Sequence, residues 1–155
     1  MVTLIAWMFL WAPGSSAPVG LDQFGTAHEP TTPGSGYTVI DFAASWCKPC
    51  WKALPHVQAL ADSRSDVRVL VISVDQKESG RDRLVEKLGL TLPVVWDQGH
   101  RWAAHYDPPG MPTSMIVDQN GKVVYQHVGW SKASWQKLLA ELERLPVPNG
   151  KLAVP

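Results

Sequence analysis

One nearly continuous apolar run, VRVLVISVD at Val67–Asp75, constrains the fold of this 155-residue chain more than any other segment. Strands of this kind are usually covered on both faces, as they are in α/β sheets. A second stretch, Tyr37–Ala43, is rich in β-branched and aromatic residues and predicts another buried strand. Between and after these strands, apolar residues recur with the spacing of a helix. We therefore predict a sheet that contains parallel strands and is covered by helices on both faces.

The remaining elements alternate along the chain in the same way. The predicted helices are Cys47–Asp62, Arg81–Leu88, Arg101–Tyr106 and Ser131–Leu145. The further strands are Leu92–Trp96, Thr113–Asp118 and Lys122–Val128. Asn120-Gly121 is a strong hairpin signal between the last two strands. Pro55 is expected to kink the first helix, and Ser131 to cap the last one.

Two cysteines, Cys47 and Cys50, are spaced C-x-x-C. Two cysteines cannot form a disulfide framework, and a structural zinc site usually takes four Cys or His ligands. The pair is therefore a redox couple, a structural disulfide or part of a metal site. The formal net charge of the chain is zero. A nucleic-acid partner usually requires an excess of basic residues, so no such partner is expected.

The position of the pair between a predicted strand and a predicted helix favours redox chemistry. A thiolate attacks disulfides, and backbone N–H groups at a helix N-terminus stabilise a thiolate. Lys48 adds a positive charge, and Pro49 is tolerated in a first helical turn. We predict that the more outward Cys47 is the attacking nucleophile, and that the shielded Cys50 resolves the mixed disulfide.

The N-terminal residues have the pattern of a secretion signal. Val2–Ala12 is an apolar run, too short for a membrane-spanning helix of about 20 residues, and the small residues 15–17 follow it. The usual positive residues before the run are absent, and a buried strand or helix is the alternative. The prediction is a signal-like segment at 1–17, an irregular segment at 18–36, a domain at 37–146 and a flexible tail at 147–155.

Two stretches of the chain resemble thioredoxins. YTVIDFAASWCKPC is similar to their active-site strand and loop, and GMPTSMIVDQNGKVVYQHVGW is similar to their second half. The resemblance implies a three-layer α/β/α sandwich with a mixed central sheet. It also implies that Asp41 is a buried acid and that Pro112 is a cis-proline. Such a proline presents the backbone of Met111 to an extended substrate chain beside Cys47.

The longer middle segment, from VISVDQ to PPGMPT, resembles the TlpA/ResA-like branch of the fold. That resemblance implies an exported, periplasmic or otherwise extracytoplasmic thiol–disulfide oxidoreductase. The expected partners are disulfide-bearing exported proteins and a membrane-bound thiol reductant as electron donor. No cofactor and no metal are expected.

The branch usually carries a Glu where this chain has Ala53, so we expect Asp41 to exchange protons with Cys50, with its pKa raised by burial. A purely structural Asp41 is the alternative. Trp46 is expected to pack beside the sulfurs. Trp51 either forms an apolar rim for a partner or folds onto the segment at 18–36.

The sequence leaves the direction of electron flow open. Lys48 and Pro49 fit a disulfide reductase better than an oxidase or isomerase. A third function is copper delivery, for which His56 would join the two cysteines.

Overall fold

The computed structural model describes residues 17–31 and 36–146. The strands are β1 (Gly20–Leu21), β2 (Ala27–His28), β3 (Thr38–Ala43), β4 (Arg68–Ser73), β5 (Val94–Trp96), β6 (Thr113–Val117) and β7 (Val123–Val128). The α-helices are α1 (Lys48–Ser63), α2 (Glu78–Leu88), α3 (Arg101–Tyr106) and α4 (Lys132–Arg144). The predicted signal-like segment, except its last residue, and the predicted tail after residue 146 lie outside the described residues.

Five strands form the central sheet in the order β5-β4-β3-β6-β7. The pairs β3–β4 and β4–β5 are parallel because α1 and α2 carry the chain back between them. The pairs β3–β6 and β6–β7 are antiparallel. The predicted turn after β6 contains Gly121, whose φ of 81° is a conformation that glycine adopts readily. The sheet is mixed, as predicted.

The alternation of side chains along β3 supplies a core on each face of the sheet. Val39 and Ala43 pack on one face with both cysteines and with apolar residues of α1, α2 and α4. Ile40 and Phe42 pack on the other face, where Trp102 of α3 is buried. The cysteines therefore belong to an apolar core between the sheet and α1.

The segment at 18–36 contains more structure than the irregular course expected. β1 and β2 form a short antiparallel hairpin. The buried carboxylate of Asp22 accepts backbone N–H groups across its turn and contacts Nε2 of His28 at 2.8 Å. The side chain of Gln23 bonds the backbone of Leu92 and Val94 at 2.8 and 2.7 Å, which ties the hairpin to the sheet beside β5. Polar side chains hold this segment, so hydrophobic periodicity does not reveal it.

The helices begin and end close to the predicted residues, with one exception. α2 starts at Glu78 instead of Arg81, because the buried Arg81 guanidinium pairs back to Glu78 and forward to Asp82, each at 2.6 Å. Ser131 caps α4 as predicted, and Pro55 lies inside the continuous helix α1. Within the described ranges, no helix has both the length and the apolar character needed to cross a membrane.

Candidate active site

The two cysteines form a disulfide at the N-terminus of α1. Cys47 is the N-cap residue, and its sulfur accepts a hydrogen bond from the backbone N–H of Cys50 at 3.2 Å. Pro49 lies in the first turn, where backbone N–H groups have no partner within the helix, so the missing N–H group of proline costs no hydrogen bond. Cys47 is 4% exposed and Cys50 is fully buried, so Cys47 is the sulfur nearer to solvent. Lys48 is exposed beside them.

The loop before the cysteines is fixed by Asp75, which sequence analysis did not identify as a functional residue. Its carboxylate accepts hydrogen bonds from the backbone N–H of Ser45 at 2.9 Å and from the hydroxyl of Ser45 at 2.7 Å. It also accepts the hydroxyl of Ser73 at 2.8 Å. The available signal was its position: an acid just after a buried parallel strand, at the edge of the sheet where ligands and active sites usually lie.

Trp51 also holds this loop. Its indole N–H donates to the backbone carbonyl of Ser45 at 2.9 Å, and its ring packs against the core on the α1 face of the sheet. These contacts match neither of the two alternatives considered for Trp51, an apolar rim for a partner or packing onto the segment at 18–36. The residue links the first turn of α1 to the loop that precedes it.

Trp46 differs from the expectation. Trp46 is 65% exposed, so most of its surface faces solvent instead of packing beside the sulfurs. It lines one side of an open groove of about 690 Å³. Val74 and Met111 add apolar surface to the groove, and Lys77, Arg83 and His100 add basic side chains. An exposed indole beside a reactive cysteine is suited to contact with another protein.

The Met111–Pro112 peptide bond is cis. The carbonyl oxygen of Pro112 accepts the N–H of Gly129 at 2.7 Å, which anchors the proline to the end of β7. Thr113 donates its hydroxyl to the carbonyl of Gly110 at 2.7 Å and closes the loop on itself. Met111 is half-buried and lines the same groove as Trp46.

Asp41 lies in the middle of β3, fully buried, on the sheet face that packs against the disulfide. Burial raises the pKa of its carboxyl to about 7, although the Ser114 hydroxyl, which donates to Oδ2 at 2.6 Å, acts to lower it. Oδ1 has no hydrogen-bond partner. Ala53, where the resembled branch usually has a Glu, is buried in α1.

His56 does not approach the cysteines as a ligand would. Its ring stacks on Trp130, with the ring centroids 4.6 Å apart. In the part of the chain that the structure describes, no three His, Cys, Asp or Glu side chains are grouped closely enough to hold a metal ion.

Residues 14–126, which contain Asp41, both cysteines and Pro112, match the AhpC/TSA family. The chain belongs to the AhpC/TSA family. A similar protein is the thiol-disulfide oxidoreductase ResA of Geobacillus thermodenitrificans, which is 31% identical over 116 residues, covering 72% of this chain and 67% of the relative.

Further comparisons agree with this family. The ResA protein of Bacillus thuringiensis is 32% identical over 92 residues, which span 58% of this chain and 53% of the relative, about half of its length. A thiol:disulfide interchange protein DsbE from Chlorobium tepidum superposes with a TM-score of 0.74 at 26% identity, over 83% of this chain and 92% of that one. StoA from Bacillus subtilis, at 22% identity and a TM-score of 0.70 over 81% of this chain and 96% of that one, shares the fold.

These findings confirm the predicted thioredoxin-like fold, the resemblance to the ResA-like branch and the enzyme class, thiol–disulfide oxidoreductase. A redox function follows from the family together with the Cys47–Cys50 disulfide.

Proposed function

We propose that this member of the family is an exported disulfide reductase. The observation that carries the proposal is the Cys47–Cys50 pair at the N-terminus of α1, next to an open groove. In the reduced state, the helix N-terminus and the nearby Lys48 stabilise the Cys47 thiolate and make it the nucleophile. Lys48 and Pro49 between the cysteines favour electron donation to a substrate disulfide over electron withdrawal.

The reaction transfers two electrons in two exchanges. The Cys47 thiolate attacks one sulfur of a substrate disulfide, a mixed disulfide forms, and the other substrate sulfur leaves as a thiolate that takes up a proton. Asp41 accepts the proton of the Cys50 thiol, and the Cys50 thiolate attacks the sulfur of Cys47. The Cys47–Cys50 disulfide forms, and the second substrate thiolate leaves and is protonated. The substrate is reduced and the enzyme is oxidised.

The groove determines how a substrate approaches. An extended substrate segment lies along the Met111–Pro112 loop and pairs with the backbone of Met111, while Trp46 contacts its apolar side chains. The substrates are disulfide-bearing exported proteins, and a membrane-bound thiol reductant returns the enzyme to the dithiol. The apolar run before residue 17 supports export to the periplasm or an equivalent compartment.

The test is the equilibrium reduction potential of the cysteine pair, measured on the full chain in defined thiol buffers. A value near or below about −230 mV supports a reductase, and a value near about −120 mV identifies an oxidase instead. Cys50→Ser is the control, because it should trap the mixed disulfide on Cys47. If no reversible disulfide forms, the redox function itself is rejected.

A further inference from the structure

His127 on β7 has a feature that the reaction above does not use. Both nitrogens of its imidazole are buried and have no hydrogen-bond partner. Buried polar atoms without partners are rare in folded proteins, and each one calls for a physical explanation. The explanation lies in β6, which pairs with β7, and in β3 on the other side of β6.

Asp41, Ser114 and His127 form one row across the sheet. Asp41 of β3 pairs in register with Ser114 of β6, and Ser114 pairs with His127 of β7. All three point to the face that packs on the disulfide, because Ile116 and Tyr125, two residues along β6 and β7, pack in that same core. Both ends of the row carry unpartnered atoms, Oδ1 of Asp41 and the two ring nitrogens of His127.

The middle residue has the right chemistry to join the two ends. The Ser114 hydroxyl already donates to Oδ2 of Asp41 at 2.6 Å, and its oxygen is free to accept a hydrogen bond as well. While Asp41 is ionised, an N–H of His127 can supply that bond; once Asp41 is protonated, the hydroxyl can instead donate to the unprotonated ring nitrogen. Either contact needs a rotation of the ring or one bridging water. On its other side Asp41 faces Val71 of β4, so Ser114 is its polar neighbour within the sheet.

We propose that His127 is the positioning residue for Asp41, exchanging a proton with the carboxyl through the Ser114 hydroxyl. This inference rests on the proposed role of Asp41 as the proton acceptor of Cys50. Each step balances. The Cys50 proton passes to the Asp41 carboxylate, and the Ser114 hydroxyl then turns from Asp41 to the unprotonated ring nitrogen of His127. The Asp41 proton passes to the Ser114 oxygen while the Ser114 proton passes to that nitrogen, and His127 becomes an imidazolium. The His127 imidazolium then releases its proton to water when the ring moves.

Burial acts in opposite directions on the pKa values of the two ends. It raises the pKa of Asp41 to about 7 and lowers the pKa of His127 below its ordinary value. Two ionisable groups joined by hydrogen bonds titrate as a pair, so a change at one end alters the titration of the other.

The other titratable groups on this side of the sheet are engaged elsewhere or exposed. Tyr125 meets the His127 ring edge-on at 6.1 Å, and Glu141 of α4 acts on Tyr125 and pairs with Arg144. On α1, His56 stacks on Trp130, while Lys48 and Lys52 are exposed. Neither Asp41 nor His127 takes part in an ion pair formed within the described ranges.

The first test follows the His127 ring by nuclear magnetic resonance on the full, oxidised chain. Asp41→Asn should lower the titration midpoint of His127 by about one pH unit, because a carboxylate at the end of the row favours the imidazolium. In a Ser114→Ala background the same substitution should have no effect on that midpoint. The ring signals of His56 and His105, which lie outside the row, control for a general change in the fold. An unchanged His127 midpoint in Asp41→Asn overturns the inference.

The second test is kinetic and follows release of thionitrobenzoate from its mixed disulfide with Cys47. His127→Gln keeps a hydrogen-bond donor but does not titrate, so it should slow release about tenfold and move the midpoint of its pH profile. His105→Gln is the matched control at an exposed position and should change neither. If Asp41→Asn slows release and His127→Gln does not, the inference fails while the role of Asp41 stands. If Asp41→Asn has no effect, the proposed acceptor itself is wrong.

Discussion

Two buried aspartates, one in β3 and one just after the neighbouring parallel strand β4, have different surroundings. Asp75, just after β4, receives hydrogen bonds on both carboxylate oxygens from Ser45 and Ser73. Asp41, in the middle of β3, receives one hydrogen bond, and its Oδ1 receives none. A carboxylate whose oxygens are all occupied holds a loop in place. A carboxyl group with a free oxygen in an apolar core can gain and lose a proton, so the first aspartate is structural and the second is available for chemistry.

The largest expected effect is the pH dependence of stability that Asp41 confers. Its carboxyl has a pKa of about 7 in the folded chain and an ordinary value of 3.8. Between these values the folded chain keeps the proton and the unfolded chain loses it, so a rise in pH favours unfolding. The free energy of unfolding should therefore fall by up to about 4 kcal/mol between about pH 4 and pH 7.

Urea unfolding of the oxidised wild type and of Asp41→Asn across this pH range isolates the effect. Asn cannot ionise, so the difference between the two unfolding free energies should grow with pH and level off above about pH 7. Two curves that stay parallel would show that Asp41 does not titrate in this range.

The next effect concerns the structural aspartate. Asp75→Ala leaves the N–H and hydroxyl of Ser45 and the hydroxyl of Ser73 without their acceptor, so the free energy of unfolding should fall by about 3 kcal/mol. Urea unfolding at pH 8 measures it, and Asp41→Asn is the matched control. At that pH the control should be at least as stable as the wild type, because it removes a buried charge. Equal losses in the two variants would contradict the contrast between the aspartates.

A third effect appears in the kinetics. Asp41→Asn should slow the attack of Cys50 on the mixed disulfide about a hundredfold, because the Cys50 thiol loses its proton acceptor. Release of a chromophoric thiol from the mixed disulfide with Cys47 reports this step. The first attack by Cys47 on a small disulfide should keep its rate, which separates a lost base from a distorted site. An equal slowing of both steps would point to distortion.

Much of this site could be predicted from local sequence. The C-x-x-C pair falls between a β-branched run and a helical pattern, and this order alone places Cys47 at a helix N-terminus. Ser131 ahead of an amphipathic stretch likewise indicates the start of α4. Both features depend on residues that are close together in the chain.

The features that sequence did not reveal depend on distant residues. Asp75 lies 30 positions after Ser45, and they meet because β3 and β4 pair in one register. The neighbours of His127 depend on the pairing of β6 with β7, which contains an irregularity near Ile116. The exposure of Trp46 depends on the loop that Asp75 holds, so a periodic pattern carries no information about it.

The smallest expected effect tests whether the loop depends on more than Asp75. Trp51→Phe keeps most of the apolar surface but removes the hydrogen bond to the carbonyl of Ser45. The free energy of unfolding of the oxidised chain should fall by about 1 kcal/mol, the usual contribution of one such bond. Trp51→Phe combined with Asp75→Ala should lose less than the sum of the two single losses, because both substitutions release Ser45. Full additivity in urea unfolding would show that Trp51 and Asp75 hold the loop independently of each other.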